Sequence, residues 1–154
     1  MKLGEILRPD MVKLDFTAGD KASAVRALVD FCIERGSIPA NKKQKVIDAL
    51  EAREKIATTG LDNGVALPHA TVDVLEEPAV AVALSRAGVP FESTDGNPAR
   101  ILILLVIPRR GIQKHVRTLA AIARLVESAA MRDALCGATS AEQVLEIIRR
   151  EESA

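Results

Sequence analysis

His69 and His115 are the chain's two histidines, and they are the side chains best suited to group transfer. A neutral imidazole is a nucleophile near pH 7, and its two ring nitrogens can hold different roles. His69 closes the run Thr58-Thr59-Gly60-Leu61-Asp62-Asn63-Gly64-Val65-Ala66-Leu67-Pro68. Pro68 fixes its own φ and restricts Leu67, so the approach to the ring is rigid. Gly60 and Gly64 bracket the turn around Asn63 and can take positive φ. Backbone N–H groups in such a turn can form a cradle for an anion. The hydroxyls of Thr58 and Thr59 are further donors. Arg53 stands upstream, and a planar, permanently charged guanidinium suits a phosphoryl group. His115 falls in the first turn of a later helical pattern, on its inward stripe. Orphan N–H groups there favour a nearby anion and oppose protonation of the ring. Two histidines brought together from separate elements would make a phosphotransfer site.

Other chemistries fit less well. A two-histidine metal site would need Asp62 or Asp73 to complete it, and there is no Cys-x-x-Cys or His-x-x-x-His spacing, so no metal is expected. No Gly-x-Ser-x-Gly elbow and no Gly-x-x-x-x-Gly-Lys loop occurs, which leaves a serine hydrolase and a nucleotide hydrolase unsupported. Each histidine also has a purely structural reading, in a turn for His69 and on a core stripe for His115.

The elements that must position these groups are legible from periodicity. A short amphipathic start over 1–18 includes a strand near Val12–Leu14. Ala24, Val25, Leu28, Phe31 and Cys32 recur at helical spacing within 21–35, and Gly36 is a plausible stop. A second helix fits 41–53, with Asn41 as its cap and Val46, Ile47 and Leu50 inward. Short strands are expected at 65–67 and 79–84, and a strand buried on both faces at 101–107. Asp95-Gly96-Asn97-Pro98 is a turn. Helices follow over 112–126, 131–135 and 140–150. Ser140 with Gln143 resembles a capping box. Helices and strands alternate, so the fold class is α/β, a mixed β-sheet sandwiched by helices.

The 154 residues fit one domain, read as 1–154. Lys+Arg and Asp+Glu are equal at 21 each, so the net charge gives no reason to expect nucleic acid or an anionic membrane. Trp and Tyr are absent and only three Phe occur, which weakens any case for base stacking and leaves Leu, Ile, Val and Ala to build the core. The Lys42–Lys45 cluster reads as a solvated helix face. Arg109-Arg110 reads as a docking patch or a polar loop. Cys32 and Cys136 lack metal spacing and read as small hydrophobes within helical patterns. The chain opens without a hydrophobic signal core, and its longest apolar run, Ile101 to Ile107, is too short to span a bilayer; a cytoplasmic protein is expected. Exposed apolar stripes would leave a homodimer open.

The linked motifs Ala52-Arg53-Glu54, Thr58-Thr59-Gly60 and Asn63-Gly64-Val65-Ala66-Leu67-Pro68-His69 resemble the active-site region of enzyme IIA domains of the fructose/mannitol class, in the phosphoenolpyruvate-dependent phosphotransferase system. His115-Val116-Arg117-Thr118-Leu119 resembles that family's second-histidine motif. The resemblance runs from about Leu3 to Ile148. It implies a type-2 IIA fold and a phosphoryl relay without a cofactor. A histidine-phosphorylated carrier protein would donate to His69, and a IIB domain or a regulated target protein would be acceptor or partner. His115 would support His69, Arg53 would lie close to the phosphoryl group, and Thr59 would be a hydroxyl neighbour. Ala70 stands where many members have Gly, and Val116 where Leu is more usual. The chain looks closest to the stand-alone nitrogen-type IIA proteins, in which phosphorylation is a signal. A sugar-specific IIA component and a phosphorylation-independent binding module are the alternatives.

Overall fold

In chain order the elements are α1 (Leu3–Ile6), β1 (Val12–Lys13), α2 (Lys21–Glu34), α3 (Lys43–Ile56), β2 (Gly60–Leu61), β3 (Val65–Ala66), β4 (His69–Val72), β5 (Ala79–Val89), β6 (Ala99–Pro108), α4 (Ile112–Leu125), α5 (Ala129–Cys136) and α6 (Ala141–Ser153). These are read from a computed structural model that describes residues 2–154; Met1, the first residue of the expected 1–154 domain, lies outside the described residues. The continuous apolar run from Ile101 to Ile107 forms the heart of β6 and is buried throughout. A strand with no polar face must be covered on both sides, and that requirement organises everything else.

The sheet is mixed, in the order β1-β5-β6-β3-β2, with β4 also on β6. β5 lies antiparallel to β6 along one edge, from Ala79 opposite Val106 to Leu84 opposite Ile101. The other edge of β6 is shared. β3 runs parallel to its first half, Val65 beside Ile101, and β4 parallel to its second half, His69 beside Leu105. Thus 65–72 is one pass along β6, broken at Leu67-Pro68. Proline has no N–H to give a ladder, so the break falls where the sequence removes a donor.

Helices cover the two faces in separate groups. α2 packs on α3, and they meet the sheet at β5 and β4. α4 and α5 pack on β6, with α6 against α1 and α5. The apolar faces read from periodicity are the buried ones: Ala24, Val25, Leu28 and Cys32 in α2, and Val46, Ile47 and Leu50 in α3. The expected α/β class with a mixed sheet between helices is the fold observed.

Several local expectations need correction. Asn41 caps nothing: it lies in a 3-10 turn over Ala40–Lys42, and α3 starts at Lys43 without a side-chain cap and runs on to Ile56. β5 continues past Leu84 to Val89 because an irregularity in the pairing lets it resume opposite Ala99. Ser140 does cap α6, accepting from the Gln143 N–H, but Gln143 answers to the N–H and hydroxyl of Thr139. Cys32 is buried as a small hydrophobe would be, whereas Cys136, at the end of α5, is exposed. The helical period that placed Cys136 inward ends with the helix itself.

Candidate functional site

His69 is the first residue of β4, not the last of the preceding strand as its apolar lead-in suggests. The break at Leu67-Pro68 decides its environment. The Leu67 N–H turns away from β6 and donates to the Thr59 carbonyl at 3.0 Å. The Leu67 carbonyl accepts from His69 Nδ1 at 2.8 Å. A carbonyl can only accept, so Nδ1 carries the hydrogen and Nε2 keeps its lone pair. The half-buried ring holds its pKa below the ordinary histidine value. Burial is the main cause; the Leu67 carbonyl opposes it, the Arg53 charge adds to it, and Glu54 opposes again. His69 is therefore neutral at pH 7, with Nε2 unprotonated.

Arg53 comes from the last turn of α3. Its Nη1 donates to the Ala57 carbonyl at 2.8 Å, closing the helix end. Its positive charge is one of the causes that lower the His69 pKa, after burial.

The Thr-Gly segment is arranged differently from the anion cradle expected. Thr59 is only 4 % exposed, and both of its donors go to Glu54: the backbone N–H to Oε2 at 3.1 Å and the hydroxyl to Oε1. The Thr58 hydroxyl donates to the Glu92 carbonyl at 2.7 Å and accepts from the Gly60 N–H. Gly60 has no positive φ; it is needed for space, since a Cβ there would lie 2.3 Å from the Glu92 carbonyl oxygen. Asn63 and Gly64 do take positive φ, at 67° and 76°. However, the Asn63 N–H is occupied by Asp95 at 2.7 Å. Gly64 sits beside Arg100 and Ile101, whose N–H groups it accepts, four residues along β6 from the partner of His69. Thr59, Gly60 and Gly64 thus belong to the backbone that leads to the histidine, and the N–H groups of Thr59, Gly60 and Asn63 are already taken.

His115 is buried to 7 % exposure on the inner side of α4. Its ring folds back toward the helix start, with Nε2 3.9 Å from where a Cβ on Gly111 would stand. Burial first, then the charge of Lys114, lowers its pKa. Among the described residues no hydrogen bond links the two imidazoles. Arg109 pairs with Asp73 at 2.7 Å across an exposed edge. Among the described residues no group of three or more His, Cys, Asp or Glu side chains could hold a metal ion.

Two contributors sit within the linked motifs, yet nothing in the sequence assigns them a part in the site. One is the Leu67 carbonyl, visible only once the strand breaks. The other is Glu54, whose sequence signal is its place: a carboxylate in the last turn of a helix opposes the helix dipole and needs a partner elsewhere.

Residues 5–151 match the family model described as phosphoenolpyruvate-dependent sugar phosphotransferase system, EIIA 2. The fructose-specific EIIA component of Haloferax volcanii is 30% identical over 90% of this chain and 89% of its own length. The solved nitrogen regulatory protein IIA-Ntr of Neisseria meningitidis has a TM-score of 0.85 at 29% identity, covering 95% of this chain and 98% of that one. Mannitol IIA of Escherichia coli, solved in complex with phosphorylated mannitol IIB, shares the fold at a TM-score of 0.78 and 22% identity, over 94% of this chain and 97% of that one.

Proposed function

The chain belongs to the EIIA 2 family of the phosphoenolpyruvate-dependent sugar phosphotransferase system, and from that premise we propose that it is a phosphocarrier that takes a phosphoryl group on His69. The donor is a histidine-phosphorylated carrier protein. The Nε2 lone pair of His69 forms the new N–P bond as the donor's P–N bond breaks and the donor imidazole leaves. The observation that carries this reading is the 2.8 Å contact of Nδ1 with the Leu67 carbonyl, which leaves Nε2 unprotonated. The work of the site is positioning and charge neutralisation, the terms that dominate phosphoryl transfer. Arg53 neutralises the phosphoryl oxygens in this reading, and His115 supports the site from α4.

The phosphoryl group then passes to a IIB domain or is presented to a regulated partner. Likeness to IIA-Ntr over nearly the whole chain favours the regulatory role. Similarity to the fructose-specific component supports the second reading, a sugar-specific IIA. Ile56, Ile112 and Val116 are exposed large apolar residues. Ile56 lies three residues after Arg53, and Ile112 and Val116 flank His115, so donor and acceptor dock there in preference to a second copy of the chain. No helix among the described residues is long and apolar enough to cross a membrane. The reading places the protein in the cytoplasm, acting as a single domain over 1–154.

The test is intact-protein mass spectrometry at neutral to alkaline pH, with phosphoenolpyruvate, enzyme I and the histidine carrier protein. One acid-labile phosphoryl group, absent from His69→Ala, is the expected result. No gain with an active carrier from the same organism would favour a phosphorylation-independent binding module. Adding IIB and following its phosphorylation separates the sugar role from the regulatory one.

A further inference from the structure

Lys21 and Glu54 each occupy the wrong end of a helix. Lys21 is the first residue of α2, where a cation meets the positive end of the dipole, and Glu54 is in the last turn of α3, where an anion meets the negative end. Local electrostatics disfavours both placements, and tertiary structure compensates by joining them: Lys21 Nζ lies 3.2 Å from Glu54 Oε2. Their side chains are only 19% and 11% exposed. Lys21 is held further by the Thr58 hydroxyl at 3.3 Å, by Glu92 at 3.5 Å and by the face of the Phe91 ring at 5.4 Å.

A part-buried ion pair is weak evidence of stabilisation, because desolvation offsets much of the attraction. The remaining bonds of Glu54 show where it points. Its carboxylate takes both donors of Thr59. Thr59 in turn offers its carbonyl to the Leu67 N–H at 3.0 Å, and Leu67 offers its own carbonyl to His69 Nδ1 at 2.8 Å. Lys21, Glu54, Thr59, Leu67 and His69 form one unbroken line of hydrogen bonds. It starts at a charge pair between two helices and ends at the ring atom opposite the nucleophile. Pro68 leaves the Leu67 peptide little freedom to settle elsewhere.

We propose that Glu54, clamped by Lys21, is a positioning residue that acts through Thr59 and Leu67 to hold His69 in the tautomer with Nε2 unprotonated. It touches neither the phosphoryl group nor the reacting nitrogen. An unrestrained histidine carries its hydrogen mostly on Nε2, which would block attack; the Leu67 carbonyl reverses that preference only while it is held in place. The functional part of this inference rests on the phosphocarrier reading, whereas the tautomer does not.

The experiment measures imidazole 15N shifts of the unphosphorylated protein, beside the initial rate of phosphoryl uptake, in wild type, Glu54→Ala, Glu54→Gln and Thr59→Val. Wild type is expected to show one tautomer, with Nδ1 protonated. Glu54→Ala should give a mixture of tautomers and slow uptake by roughly tenfold to a hundredfold, the scale of losing placement by about an ångström. Glu54→Gln keeps an acceptor for the Thr59 N–H and should recover part of both. Thr59→Val removes only the hydroxyl bond and should fall between Gln and Ala; it decides the matter if Glu54→Ala does not fold. Folded variants with lower melting temperatures but an unchanged tautomer would overturn the proposal, since a merely structural tie would do that. Failure of wild type to take up phosphate would sink the phosphocarrier reading instead, while the tautomer measurement would still decide the role of Glu54.

Discussion

His69 Nδ1 and the carbonyl oxygen of Leu67, two residues earlier across Pro68, lie 2.8 Å apart. One bond between near neighbours in the chain thus fixes which nitrogen of a half-buried ring carries the hydrogen. Its strength depends on distant elements, because the peptide that accepts it is excused from the sheet by a proline.

Uptake should hold its rate through the ordinary histidine pKa of about 6.5 and decline only at lower pH, because burial and Arg53 keep His69 below that value. A rate that already halves at about 6.5, with carrier in excess, would contradict this.

Folding stability should fall over the same acid range. His69 and His115 both have depressed pKa values in the folded chain, so the unfolded chain binds their protons first as pH drops. Their contribution is full above about 6.5 and is lost as pH falls from there through the folded values. Urea titrations between pH 7.5 and pH 5 would reveal the slope, and both histidines changed to Gln should flatten it.

His115→Asn should leave uptake measurable but slower by on the order of a hundredfold, as for loss of a single oriented donor. A normal rate in a folded variant would reduce His115 to a packing residue of α4.

Gly60→Ala should destabilise by about 1–3 kcal/mol and disturb uptake together, since the added Cβ meets two rigid backbone carbonyls, those of Phe91 and Glu92. By contrast Gly19→Ala meets nothing within 4 Å and serves as the control. Thermal melts of the pair give the comparison.

Thiol labelling of the native protein should modify Cys136 and spare Cys32. Burial pushes the Cys32 thiol up to about 12, and it packs in the core of α2. Cys136 is exposed, although partial desolvation raises its pKa as well. Two labels per native chain on one timescale would count against this packing.

Composition and period were enough for the α/β class, for β6 as a strand covered on both faces, and for His69 and Arg53 as residues to watch. Those features are local: an uninterrupted apolar run from Ile101 to Ile107 can be buried in few ways, and Pro68-His69 restricts its own backbone. What the local pattern could not say is where hydrogen bonds go once chains cross. Gly60 looked like a residue of unusual φ and proved to be a residue of close approach, because its neighbour, the backbone at Phe91 and Glu92, is distant in sequence. The turn at Asn63 looked like a cradle, and Asp95 fills it. Lys21 was an unremarkable charge, and Glu54 only the neighbour of Arg53 in its motif, until the packing of α2 on α3 set them 3.2 Å apart. Pairing along β6 decided that His69 opens a strand, and that the Leu67 carbonyl, released from the ladder, turns to the ring.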